Sequence, residues 1–319
     1  MGGQGVAGRV PQGGRLRLSL HAAGTALELA HGVEAEEHEP GLSEDEQAHL
    51  HKVDLLLVDT RLTAELALND RVGVAAELPV RAVRAVPTFE GPNGEPLPGF
   101  SSIHHRRETI SGLGDLELGG RVRLVAPDVG RRWSLDVRAG LSTPTGGTEP
   151  DPFELVRQGR HHQHIFFGSG TFDPLFGVQA SWAPDALGAL GAAALSAQAS
   201  VRAPLYANPE GYRAPTLVTG AVGFDTGLLP GPHGFRLLVA PEVYHETPAT
   251  WSGQPDNNSG RTDLIAAAGV LYAPPGPWSA HLLVKAPWTV RSAEGHIDIP
   301  AFVALGVSYE TSVWQGSGS

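Results

Sequence analysis

The stretch Gly114–Leu124, GDLELGGRVRL, decides the fold class. Leu116, Leu118, Val122 and Leu124 fall on one face of an extended chain, and Asp115, Glu117, Arg121 and Arg123 on the other. Strict two-residue alternation marks a β-strand with one apolar and one polar face. The pattern recurs from end to end. Val58, Leu62, Leu66 and Leu68 oppose Asp59, Arg61, Thr63 and Glu65; Trp133, Leu135, Val137 and Leu141 oppose Ser134, Asp136 and Arg138; Trp278, Leu282, Val284 and Trp288 oppose Ser279, His281 and Lys285. No helices or second set of strands remain to cover so many apolar faces. The economical solution is a closed barrel with its apolar side toward lipid and its polar side toward an internal lumen.

Twelve strands are expected, near 14–24, 53–68, 71–84, 106–125, 131–143, 171–183, 187–205, 214–229, 233–246, 261–273, 277–290 and 299–314. The Ala-rich segment 187–203 has helical propensity, but Ser196, Gln198, Ser200 and Arg202 alternate with Ala197, Ala199, Val201 and Ala203, which favours a strand. Connections alternate in length. Short ones are LNDR at 68–71, APDVGR at 126–131, APDALG at 183–188, PGPHG at 230–234 and APPGP at 273–277. Long ones lie near 25–52, 85–105, 143–170, 206–213, 247–260 and 291–298. Short periplasmic turns, long extracellular loops and an even strand number are the arrangement of an all-β, transmembrane, antiparallel up-and-down barrel of the bacterial outer membrane. Trp133, Trp182, Tyr272, Trp278 and Trp314 all fall on the short-turn side, as one aromatic girdle would.

Composition agrees. Among 319 residues there are 41 Gly and 26 Pro, which suits many turns, and no Cys, which is compatible with an exported chain. Mean hydropathy is −0.10, and no run of about 18 apolar residues could form a membrane-spanning helix. The net charge of −11 argues against a nucleic-acid partner. Residues 1–13 lack an apolar signal core and are read as a flexible or engineered start; 14–314 form the barrel; 315–319 read as a linker remnant of a chain whose signal peptide is absent. A monomer is expected, with outer-membrane lipid and lipopolysaccharide around it.

Three segments carry a resemblance. ISGLGDLELGGRVRL at 110–124, RAGLSTPTGGTEPDPF at 138–153 and GSGTFDPLFGVQASW at 168–182 resemble, in order, the outer-membrane barrels grouped as putative transporters of the "MetA-pathway of phenol degradation" family. The resemblance is strong only over the middle third. It implies fold and location more than substrate, with passage of small, often aromatic, compounds as the suggested role.

Function is expected first in the lumen. Arg61, Arg81, Asp115, Glu117, Arg121, Arg123, Asp136, Arg138, Glu242 and Lys285 are candidate pathway residues, with a slight cationic excess that favours anions. The same residues can instead pair across strands and fill the interior, and twelve strands lie between filled and water-filled barrels. The 143–170 loop is expected to narrow the mouth. Within it Asp151-Pro152-Phe153-Glu154 carries helix-start signals and Gly159 a stop; Ser43 with Glu46 forms a similar start. A different class of function rests on His161, His162 and His164, with His104 and His105, in Glu-rich outer loops that suit Zn²⁺ or Cu²⁺, although no spacing matches a closed site. No other cofactor is implied. An outer-rim hydrolase would need a Ser–His pair, with Ser101, Ser102, Ser142 and Ser169 available, but no nucleophile motif is present, so a non-enzyme is expected. A soluble β-sandwich or lipocalin-like cup shares the alternation but not the length pattern of the loops.

Overall fold

The structure is a computed structural model that describes residues 12–32, 50–91, 93–97, 107–127, 132–160, 165–183, 193–227, 234–256, 259–292 and 296–314. Its strands are β1 (Arg15–Gly32), β2 (Leu50–Ala67), β3 (Val72–Glu90), β4 (Glu108–Leu113), β5 (Glu117–Val125) and β6 (Trp133–Ser142). A short helix α1 (Pro152–Arg157) precedes β7 (Asp173–Trp182), β8 (Ala194–Arg202), β9 (Tyr212–Arg213), β10 (Leu217–Gly227) and β11 (Phe235–Glu246). The chain continues through β12 (Thr250–Trp251), β13 (Gln254–Pro255), β14 (Arg261–Tyr272), β15 (Trp278–Ser292), β16 (His296–Asp298) and β17 (Phe302–Ser312).

Each wall strand pairs antiparallel with the next, and β1 pairs with both β2 and β17, so the sheet closes on itself. Counting β4 with β5, and β16 with β17, as two halves of one strand gives a closed barrel of twelve. The tiny sheet β13-β12-β9 lies in the long loops outside the wall. The expected strand at 187–205 begins at Ala194, and residues 184–192 lie outside the described set.

Alternation runs as the sequence pattern requires. Leu18, Leu20, Leu62, Val74, Leu118, Val122, Val284 and Leu305 are exposed on the outside, whereas Arg121, Asp136, Asp263 and Lys285 are buried within. Such outward apolar exposure has no outlet in water and fits a lipid-facing band. Aromatic residues mark its edges. On the short-turn side Trp133 faces Trp182, the rings of Trp278 and Tyr309 lie 4.7 Å apart, and those of Phe235 and Tyr272 also 4.7 Å. On the opposite side stand exposed Phe172 and Trp288. Trp182 to Phe172 and Trp278 to Trp288 are both ten-residue steps, which at ~3.3 Å per residue and a tilt near 40° span about 25 Å, the height of an outer-membrane apolar band.

Two expectations are corrected. Residues 25–32, 50–52 and 85–90, assigned to loops from sequence, continue strands β1, β2 and β3, which are 18, 18 and 19 residues long. This is well beyond the ~10 residues a membrane crossing needs. In these extensions the amphipathicity reverses. Glu28, Asp54, Arg84 and Thr88 face outward and are exposed, while Leu27, Val53, Leu55, Val83 and Ala85 are buried inside with Ile299. One wall of the barrel therefore rises above the membrane around its own small apolar core. The single strand expected at 106–125 is broken: β3 pairs with β5 and β4 in registers that differ by one residue, so Gly114–Leu116 form a bulge.

Candidate functional site

The bulge re-aims Asp115. Its carboxylate accepts hydrogen bonds from the Gly146 amide (2.9 Å), the Ser169 amide (2.7 Å) and the Ser169 hydroxyl (2.8 Å). Both legs of the 143–170 loop are thus tied to one buried side chain of the wall. The legs also touch each other, because a Cβ on Gly146 would lie 2.6 Å from the Gly168 Cα. The Thr171 hydroxyl donates to Asp173 (2.6 Å), and the Asn208 amide donates to the Ser169 carbonyl (3.2 Å), which extends the anchor to the next loop.

From this base the loop folds over and into the mouth. Its helix α1 starts as the sequence predicts: Asp151 Oδ1 accepts from the Phe153 amide (3.0 Å), and Gly159 at φ 62° ends the turn. Glu154, bonded to Arg157 and Gln158, has its carboxyl held below the usual range by those hydrogen bonds. The descending leg delivers Ile165, Phe166 and Phe167. Ile165 and Phe167 pack on the apolar cluster of Leu27, Val53, Leu55, Val83, Ala85 and Ile299, together with Leu57 and Phe302. Phe167 lies over Gly112, where a Cβ would meet its ring at 3.0 Å. Phe166 turns the other way, with ring centroids 4.6 Å from Tyr212 and 5.9 Å from Trp251, in a second cluster that includes Phe153. Burial there pushes the Tyr212 phenol above its ordinary range.

Below the mouth the interior is polar. Asp59 accepts from Arg61 (2.9 Å) and Arg81 (3.0 Å), and Arg61 also reaches Glu77 (2.5 Å). Asp136 holds Arg121 and Arg123, each at 3.0 Å, and Arg121 also meets Glu65 at 3.3 Å. Lys285 pairs with Glu242 (2.8 Å), Arg202 approaches Glu117 (3.6 Å), and Arg236 pairs with Asp225. A cavity of about 90 Å³ lies among His21, Arg61, Glu242, Lys285, His281 and Phe302. His21 and His281 stack at 5.1 Å across Gly306 of the strand between them. The interior therefore combines both expectations: most charges pair across strands, and an unfilled space remains beside them.

Of the ten pathway candidates, nine face the interior from wall strands and Asp115 sits in the bulge as the loop's anchor. Arg138 is exposed and, among the described residues, bonds only to Gln179 (3.4 Å). His104, His105, His161, His162 and His164, as well as Ser43, Glu46, Ser101 and Ser102, lie outside the described residues. Ser142 is fully buried, and the Ser169 hydroxyl is bound to Asp115. Sequence reasoning missed the apolar interior of the extensions. A signal exists: in β1 the apolar residues are even-numbered at Leu16, Leu18 and Leu20 and odd at Leu27, and β2 and β3 show the same change of parity.

No family profile matches the chain, and no curated protein matches its sequence. Among solved structures it is similar to an outer-membrane channel from Pseudomonas putida F1, at 12% identity over 98% of this chain and 100% of that one, with a TM-score of 0.59. A Pseudomonas aeruginosa FadL homologue aligns at 10% identity over 94% and 90% of the two chains, with a TM-score of 0.43. The Ralstonia pickettii toluene transporter TbuX aligns at 9% identity over 95% and 90%, with a TM-score of 0.41. At 12% identity, what this chain shares with the first of these is the fold. The closed wall, the lipid-facing band with its two aromatic edges and the likeness to the first of these structures make the chain a twelve-stranded transmembrane β-barrel of the bacterial outer-membrane type.

Proposed function

We propose that this barrel is a channel for a small solute, which enters at the extracellular mouth, passes the 143–170 loop and crosses the polar interior. One observation carries the reading: the loop is fastened at its base by Asp115 and places Ile165 and Phe167 against interior residues at the mouth, beside an unfilled space lined by both charged and apolar side chains, which Phe302 joins to that cluster. A barrel serving only as a scaffold needs neither an anchored inward loop nor a space beneath it. The solute meets an apolar, aromatic surface first and paired charges second. That sequence suits a small molecule with an apolar body, in keeping with the aromatic compounds the family resemblance implies, and it disfavours bulky or strongly hydrated solutes.

The test is planar-bilayer conductance and liposome swelling with the refolded protein, comparing the whole chain with a deletion of residues 150–164. Steady conductance that rises in the deletion supports a channel narrowed by this loop. A folded protein that neither conducts nor admits small solutes, with or without the loop, overturns the reading.

A further inference from the structure

Among the described strands, the inward-facing cations are matched by carboxylates with one exception. Arg15 and Arg17 share Glu310, and Arg61, Arg81, Arg121, Arg123, Arg202, Arg236, Arg261 and Lys285 each have an acidic partner. Arg138 does not; its one hydrogen bond is a long contact to the Gln179 carbonyl oxygen, at 3.4 Å, and its side chain is exposed. It also stands directly opposite Arg121 in the β5–β6 register. Like charges facing each other across a ladder are unfavourable unless something neutralises them. Here Asp136 and Glu65 serve Arg121 and Arg123, so this patch of wall carries three guanidinium groups against two carboxylates.

Depth and space make the surplus meaningful. Arg138 is five residues from Trp133 at the short-turn edge, and its partner Gly177 on β7 lies midway between Phe172 and Trp182. The guanidinium is therefore at mid-membrane, where an unmatched charge is costly and marks a solute path. The neighbouring inward positions, Gly119, Gly140 and Gly177, carry no side chains that could cover the guanidinium. A planar guanidinium with free N–H groups favours oxyanions, and carboxylates in particular, through paired hydrogen bonds.

We infer that Arg138, with Gln179 beside it, is a binding station that selects small organic carboxylates passing through the lumen. This rests on the channel reading for passage but not for binding, and the two are separable. Benzoate is the probe, with neutral benzamide of similar shape as the control. Reversal potentials in a KCl gradient are measured for the parent, Arg138→Gln, Arg138→Glu and Arg138→Lys, each checked for folding by far-ultraviolet circular dichroism. The parent and Arg138→Lys select anions, Arg138→Gln loses the preference, and Arg138→Glu inverts it. Benzoate reduces the parent's conductance at concentrations at least tenfold below those needed for Arg138→Gln, and benzamide does not.

In detergent, benzoate raises the thermal midpoint of the parent but not of Arg138→Gln, a readout that needs no conductance. Conductance with selectivity and benzoate block unchanged in Arg138→Gln overturns the station while leaving the channel standing. A folded, silent barrel whose benzoate-induced shift depends on Arg138 removes the channel and keeps the station. A benzoate shift that is absent, or equal in both proteins, overturns the station.

Discussion

Gly146 and Gly168 meet backbone to backbone where the two legs of the 143–170 loop leave the wall: a Cβ on Gly168 would fall 2.5 Å from the carbonyl carbon of Gly146. No side chain fits there without parting the legs. Gly168→Val is expected to lift the loop, raise conductance and expose the 150–160 segment to protease, with the barrel itself intact. Limited proteolysis of the refolded variant, followed by intact-barrel electrophoresis, checks this; cleavage no faster than in the parent would refute it.

Asp115 holds the same legs by charge-assisted hydrogen bonds. Replacing it with Ala leaves the Gly146 and Ser169 amides and the Ser169 hydroxyl without their acceptor, at a cost on the order of 3 kcal/mol. Urea titration in detergent micelles should show that loss, and conductance should rise as in the glycine variant. A stability loss with unchanged conductance would mean that the loop stays in place without its anchor.

Asp136, 2% exposed, is the shared acceptor of Arg121 and Arg123. Removing one partner of a buried ionic group strands the others, typically at about 3–5 kcal/mol. Asp136→Ala should therefore be among the most destabilising interior changes, measured as the shift of the urea midpoint. Removing the Arg15 partner from Glu310, a pair on the more exposed short-turn end, should cost under about 1 kcal/mol.

The lipid-facing band makes a positional prediction. Val284 lies near its middle, between Trp278 and Trp288, and Val284→Arg should cost about 2–4 kcal/mol in lipid. Asp54 also faces outward, but on the part of β2 that rises above the band, so Asp54→Arg should cost close to nothing. Equal costs for the two would remove the proposed membrane boundary.

These contrasts show what was readable from the residues alone. Alternation in segments such as Trp133–Leu141 and Trp278–Trp288 reports a strand with two solvents, and turn residues such as Asn69, whose side chain accepts from the Arg71 and Val72 amides at 2.8 Å, report where strands end. Loop lengths then fix closure and orientation. The bulge was missed because the change of parity between outward Leu113 and outward Leu118 falls across Gly114 and Asp115, where no apolar side chain marks it, and register is a property of the partner strand. The reversed extensions were missed because a change of parity at Leu27 or Leu55 resembles the decay of a strand into a loop. Arg138 was legible as an inward charge, but its lack of a carboxylate partner emerges only when the neighbouring strands are set beside it.

The pairing of β1 with β17, from Arg15 opposite Ser312 to Gly24 opposite Val303, also governs how the molecule can be assembled. The first strand has to wait for the last. Until residue 312 is in place the wall is an open ribbon with two unpaired edges, and its seam joins positions nearly 300 residues apart, a late and slow closure. Loss of even a few C-terminal residues would therefore leave a sheet that seeks another edge, either its own in a slipped register or that of a neighbouring chain.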